Sequence, residues 1–188
     1  MNKIDKLVLL WNRTREGDEK AFAELHQILY PGLFSYAEKM VKSEDIADDL
    51  LQDLFIKFWQ NKIRIGEISN VRSYFYRSVR TTVVNHIKSS QLKSSKLLLM
   101  PEPEMEFSTE EFIISSEQDS RLHGVMVSAL NELPPKQREI IHMRFYQDLE
   151  YPQIAEITGI KYQSVINHVY RAIQVLRQTT ELAEVYLV

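Results

Sequence analysis

With 188 residues the chain is long enough for one domain or two small ones. A hydrophobic content of 44% with 26% charged residues excludes a fibrous or wholly disordered chain, and the absence of cysteine excludes disulfides and thiolate metal sites. The net charge of −3 argues weakly against a polyanionic partner, but exposed charges more than about 8 Å apart are largely screened, so local blocks matter more than the sum.

The first apolar run, residues 7–11, is too short for the core of a signal peptide. No run approaches the ~18 apolar residues that span a bilayer, and a cytoplasmic location is expected. Phe22, Leu25, Leu29, Leu33, Tyr36 or Ala37, and Met40 recur at three- and four-residue steps, which predicts a helix. Pro31-Gly32 inside that run predicts a kink or break. Ser43 reads as an N-cap, with Glu44 and Asp45 in the first turn, where carboxylates suit the helix dipole. The helix that follows, about 44–61, is expected to bury Ile46, Leu50, Leu54 and Phe58. Its other side carries Glu44, Asp45, Asp48, Asp49, Gln52 and Asp53. These carboxylates lack the convergent histidines a metal site would need, so a solvated or partner-facing surface is the expectation, with no metal and no cofactor. Phe55, Phe58 and Trp59 would anchor this helix in the core or at an interface.

After a loop at 62–70, which contains Gly66, a helix is predicted over about 71–90. Val71, Phe75, Val79, Val83 and Ile87 form its apolar stripe at four-residue spacing. Arg77, Thr81, Asn85 and Lys88 fall opposite, with Arg72, Tyr76 and Arg80 flanking and Tyr74 near the polar side. From 68 to 101 there are six basic residues and no acidic one. Cations track phosphates and rings stack on unpaired bases, so this face fits a nucleic acid. Residues 89–120 have no sustained period, two prolines and seven carboxylates from 97 onward, and read as a linker. Three parts result: a domain at 1–92, a flexible acidic linker at 93–120, and a second domain at 121–180.

Residues 133–177 read as a helix, a short loop and two helices joined by a tight turn at Gly159, the layout of a helix-turn-helix. Glycine suits a turn with positive φ, and Pro152 suits the start of a helix. In the last helix Val165, Val169, Ala172 and Leu176 form the core stripe. Gln163, Asn167, Tyr170, Arg171 and Gln174 project away, and Gln, Asn and Arg are side chains that read base edges or hold phosphate. The overall expectation is an all-α protein of two small helical domains.

Three stretches then carry a resemblance: DDLLQDLFIKFW at 48–59, VRSYFYRSVRTTVVNHIK at 71–88 and LPPKQREIIHMRFYQDLEYPQIAEITGI at 133–160. In this order they resemble the bacterial RNA polymerase sigma-70 family, nearest its small extracytoplasmic-function group, over about 21–88 and 130–177. The resemblance implies a sigma region 2 bundle and a sigma region 4 helix-turn-helix. It implies core RNA polymerase and promoter DNA as partners, with an anti-sigma factor as a further partner of the family. No small-molecule substrate and no catalysis are implied. Asp48, Asp49, Gln52 and Asp53 would dock on the polymerase. Arg72, Tyr74, Arg77, Arg80, Thr81, Asn85 and Lys88 would hold the melted −10 element. Lys161, Gln163, Ser164, Asn167, His168 and Arg171 would meet the −35 element. The chain departs from the family pattern at Thr81, where Asn is common, at Ile166 and His168, where cations are common, and at Glu150, where a Ser-type cap is usual. An ordinary regulator would carry a sensing domain with strands in front, and a nucleic-acid enzyme a phosphate-cradling loop, a metal signature or a nucleophile triad. None of these patterns is present.

Overall fold

The computed structural model describes residues 3–93, 105–108 and 117–186. Among them every regular element is helical and no strand occurs. The chain divides into two compact units, one of residues 1–101 with 156–159 and one of residues 102–155 with 160–188.

The first unit holds α1 (Lys3–Arg15), α2 (Glu19–Val41), α3 (Glu44–Ile65) and α4 (Val71–Lys93). Asp18 caps α2 by accepting from the Ala21 N–H at 3.0 Å, and Arg13 donates to its other oxygen at 2.6 Å. That backbone hydrogen bond, and then Arg13, hold the Asp18 carboxyl below the usual carboxylate range. Ser43 caps α3 as the sequence predicts, accepting from Ile46 N–H at 3.4 Å. The expected break at Pro31 does not occur, because α2 runs unbroken through it. Leu25, Leu29, Leu33, Tyr36, Ala37 and Met40 are all buried along one stripe on both sides of the proline. Their burial outweighs the ~3 kcal/mol that an interior proline typically costs.

The buried face of α3 also differs from expectation. Leu54 and Phe58 are buried, but Ile46 and Leu50 are only half-buried. The stripe runs instead through Ala47, Leu51, Leu54, Phe55 and Phe58. The aromatic rings decide this: Phe58 lies 4.1 Å from Phe75 of α4 between ring centroids, and Phe55 lies 5.8 Å from it. Helix α4 supplies Val71, Phe75, Val79 and Val83 to this core, while Ile87 is half-buried.

The second unit holds α5 (Glu117–Glu132), α6 (Pro135–Ile141) with a π-helical turn at His142–Tyr146, α7 (Tyr151–Thr158) and α8 (Tyr162–Tyr186). Its core is aliphatic, built on Leu130, Leu133, Ile140, Ile141, Met143, Leu149, Ile154, Val165 and Val169. Gly159 has φ +72°, the left-handed conformation that lets α7 turn into α8. At Glu150, Gln153 Oε1 accepts the Glu150 backbone N–H at 2.9 Å, so half of a capping box forms without a Ser-type cap.

Most of the acidic stretch at 93–120 lies outside the described residues, but residues 105–108 do not behave as a bare linker. Met105 and Phe107 are buried. Asn131 accepts the Phe107 N–H at 2.9 Å and donates to the Phe107 carbonyl at 3.0 Å. Arg138 donates to the Met105 carbonyl at 2.9 Å, and the Phe107 ring packs 5.3 Å from Tyr146. Two apolar side chains and three hydrogen bonds thus tie this segment to α5, α6 and the π turn.

Candidate nucleic-acid interface

Helix α4 presents the first cationic face. Val71, Phe75 and Val79 fix its rotation by facing the aromatic core, which turns Arg77, Thr81 and Asn85 to solvent as exposed residues. Arg72, Tyr74, Arg80 and Lys88 are half-buried at its edges. The helix carries no carboxylate, so nothing on it competes with phosphate for its cations. The Thr81 hydroxyl donates to the Arg77 carbonyl at 2.9 Å, leaving its lone pairs to accept. The Tyr74 ring leans on Phe58 at 6.0 Å and Phe75 at 6.3 Å, which braces it from behind.

Tyr76 is not the flanking residue its position suggests, because it is buried and packs 5.6 Å from Tyr36. Burial pushes its phenol pKa up, against the opposing pull of Arg72. The Arg72 guanidinium lies 5.8 Å from the Tyr76 ring centroid. Arg72 is therefore committed in part to its own unit.

Helix α8 presents the second face. Val165, Val169 and Ala172 are buried, and Leu176 is half-buried. Lys161, Gln163, Asn167, Tyr170 and Arg171 are exposed, while Ser164 and His168 are half-buried toward the core side. The Lys161 carbonyl accepts from the Ser164 N–H at 2.8 Å and the Val165 N–H at 3.2 Å, so α8 is wound from its first turn. Gln163 donates to Asn167 Oδ1 at 3.4 Å, which holds two amide side chains side by side on the outward face.

The carboxylates of α3 form a third, acidic face. Asp49, Gln52 and Asp53 are exposed. Asp48 is half-buried and accepts from the Tyr30 hydroxyl of α2 and from Gln52 Nε2, the latter at 2.5 Å. Burial, reinforced by Asp48, pushes the Tyr30 phenol up to about 12. His26 stacks on Tyr30 at 4.6 Å and meets Phe55 edge-on at 4.5 Å, and burial lowers its pKa. Sequence reading passes over Tyr30, Asn131 and Trp11, because their partners lie 18 to 55 residues away along the chain.

Basic, hydrogen-bonding faces on α4 and at the start of α8, each backed by an apolar core, together with the acidic face of α3, fit a DNA-binding protein. The chain belongs to the sigma-70 family of RNA polymerase sigma factors, in the extracytoplasmic-function group, and it acts in promoter recognition and transcription initiation. The family description Sigma-70 region 2 matches residues 25–92, and Sigma-70, region 4 matches 123–176. The RNA polymerase sigma factor SigV of Bacillus subtilis is 30% identical over 151 residues, covering 80% of this chain and 83% of that protein. The extracytoplasmic-function sigma factor RpoE of Cereibacter sphaeroides is 26% identical over 167 residues, covering 86% of this chain and 87% of that protein. The fold is that of the sigma factor RpoE from Bartonella quintana, solved in complex with the anti-sigma factor NepR. That comparison gives a TM-score of 0.61 at 21% identity, covering 86% of this chain and 98% of that one. No helix among the described residues is long and apolar enough to cross a membrane.

Proposed function

We propose that the three faces divide the work of initiation. Asp48, Asp49, Gln52 and Asp53 on α3 dock on core RNA polymerase. Arg72, Tyr74, Arg77, Arg80, Thr81, Asn85 and Lys88 on α4 hold the unpaired strand of the −10 element. Lys161, Gln163, Ser164, Asn167, His168 and Arg171 at the start of α8 meet the −35 element. The observation that carries this reading is the α4 face, where exposed Arg77, Thr81 and Asn85 stand on a carboxylate-free helix backed by aromatic rings.

The mechanism is binding rather than catalysis. Stacking one unpaired base contributes about 1–3 kcal/mol, which offsets part of the unpairing cost when several bases are captured. Tyr74 is the ring placed for that stacking, and Arg77 and Lys88 are placed for the backbone phosphates. On α8, amide and guanidinium groups reach base edges in the major groove while Lys161 neutralises phosphate. In this reading the functional modules are 1–92 and 121–180 with the acidic 93–120 between them. The protein works in the cytoplasm with the polymerase. An anti-sigma factor is a natural further partner, since the RpoE of Bartonella quintana was solved with one. The test is reconstitution. Mixed with sigma-free core polymerase, the protein co-elutes with it and yields promoter-specific run-off transcript. Failure of both overturns the assignment of faces.

A further inference from the structure

The bend between α3 and α4 delivers the −10 face, and it is held from outside the stretch that matches region 2, which begins at residue 25. Gly66 closes α3 by donating its N–H to the Lys62 carbonyl at 3.4 Å and adopts φ +77°, ψ −156°. Its own carbonyl accepts the Trp11 indole N–H of α1 at 2.9 Å. Trp11 is fully buried, and its ring meets Phe75 of α4 edge-on at 5.9 Å. Downstream of Gly66, Ile68 is buried, and the Asn70 side chain accepts the Ser73 N–H at 3.1 Å to start α4. The Arg15–Glu67 pair spans the same junction at 3.5 Å, but Glu67 is 85% exposed and such pairs contribute little.

The Trp11 bond differs in kind from that ion pair. A buried indole N–H that lacks an acceptor carries a desolvation penalty, so Trp11 is satisfied only while the Gly66 carbonyl points toward α1. A ring that merely filled the core would need no such alignment. Trp11 touches both ends of the junction: the backbone of the bend through its N–H, and the first turns of α4 through its ring.

We propose that Trp11 is a positioning residue for the −10 contact: its indole N–H fixes the Gly66 bend and thereby sets where α4 and the loop before it meet the unpaired strand. This rests on the reading of α4 as the −10 face. The test uses holoenzyme reconstituted with Trp11→Phe, which keeps an aromatic ring and removes the donor. Three affinities are measured: for core polymerase, for a duplex carrying only the −35 element, and for a single-stranded oligonucleotide carrying the non-template −10 element. The promoter is one recovered by binding selection from genomic DNA. The expected result is a loss confined to the single strand, of about three- to tenfold, the scale of one hydrogen bond. Undiminished single-strand binding overturns the proposal. So does an equal loss of core affinity, which is what a merely structural role would produce.

If Trp11→Phe does not fold, benzothienylalanine at position 11 keeps the bicyclic ring without the N–H. Normal single-strand binding by that variant then overturns the proposal in the same way. Arg77→Ala separates the two levels of inference. If it weakens single-strand binding and Trp11→Phe does not, only the positioning role fails. If Arg77→Ala has no effect either, the −10 reading of α4 fails, and the Trp11 role with it.

Discussion

The two units hold the helices proposed to meet DNA, α4 and α8, with different materials. The first packs helices of 23, 22 and 23 residues around rings, with Phe75 touching Trp11, Phe55 and Phe58. The second uses an aliphatic core and short pieces of 7, 5 and 8 residues ahead of α8. Side-chain-to-backbone bonds from Arg144 and Gln153 bridge the π turn to α7, and those from Asn131 and Arg138 pin residues 105–108 to α5 and α6. A long helix on a stiff aromatic bed can offer a continuous face, here from Arg72 to Lys88, which under the proposed division of work would hold an unpaired strand. Under the same proposal the short hairpin has only to aim α8 into a groove that is already there.

The comparison breaks most directly at Phe75, which is wholly buried among rings. Phe75→Ala is expected to destabilise the first unit by about 3–5 kcal/mol. Denaturant unfolding should show that loss in the first unit's transition and leave the second unit's in place. The matching cut in the second unit is Asn131→Ala, which strips both backbone partners from Phe107. A loss of about 2 kcal/mol is expected there, with faster amide exchange at Phe107.

The faces proposed for polymerase and DNA give smaller effects. Asp49 is exposed on α3, so Asp49→Arg should leave the fold intact and weaken core polymerase binding about tenfold, near 1.4 kcal/mol, read by titration of labelled core. Arg171 is exposed on α8, and Arg171→Ala should lower −35 duplex affinity and reduce the salt slope of binding by about one. The smallest effect belongs to His26. Burial lowers its pKa in the folded unit, so the unfolded chain binds the proton more readily. The stability tied to neutral His26 is present above about pH 6.5, the unfolded value, and is lost as pH falls through the folded pKa. Chemical denaturation of wild type and His26→Phe across pH 5 to 8 should show a shallower acid-side decline in the variant.

Much of this was legible in the sequence. The all-helical class, the Ser43 cap, the α4 stripe and the Gly159 turn follow from periodicity and local chemistry. Which residues of α4 and of the start of α8 face outward follows largely from the same stripes. What was not legible depends on distant partners. The α3 stripe turns off Ile46 and Leu50 because the rings at Phe55 and Phe58 seek Phe75, and no α3 periodicity records α4. Pro31 leaves α2 continuous because residues before and after it share one buried stripe. Met105 and Phe107 sit in an acidic, proline-bearing stretch whose composition conceals two anchors. Trp11 read only as the end of a short apolar run, since its acceptor lies 55 residues on.

Gly66 has open space where a Cβ would stand, so the obstacle to replacing it is torsional rather than a collision. Any side chain placed there is strained by the backbone angle itself, whatever room surrounds it. The elbow into α4 therefore asks for glycine on torsional grounds alone, whereas the exposed side chains along α4 are under no such backbone constraint.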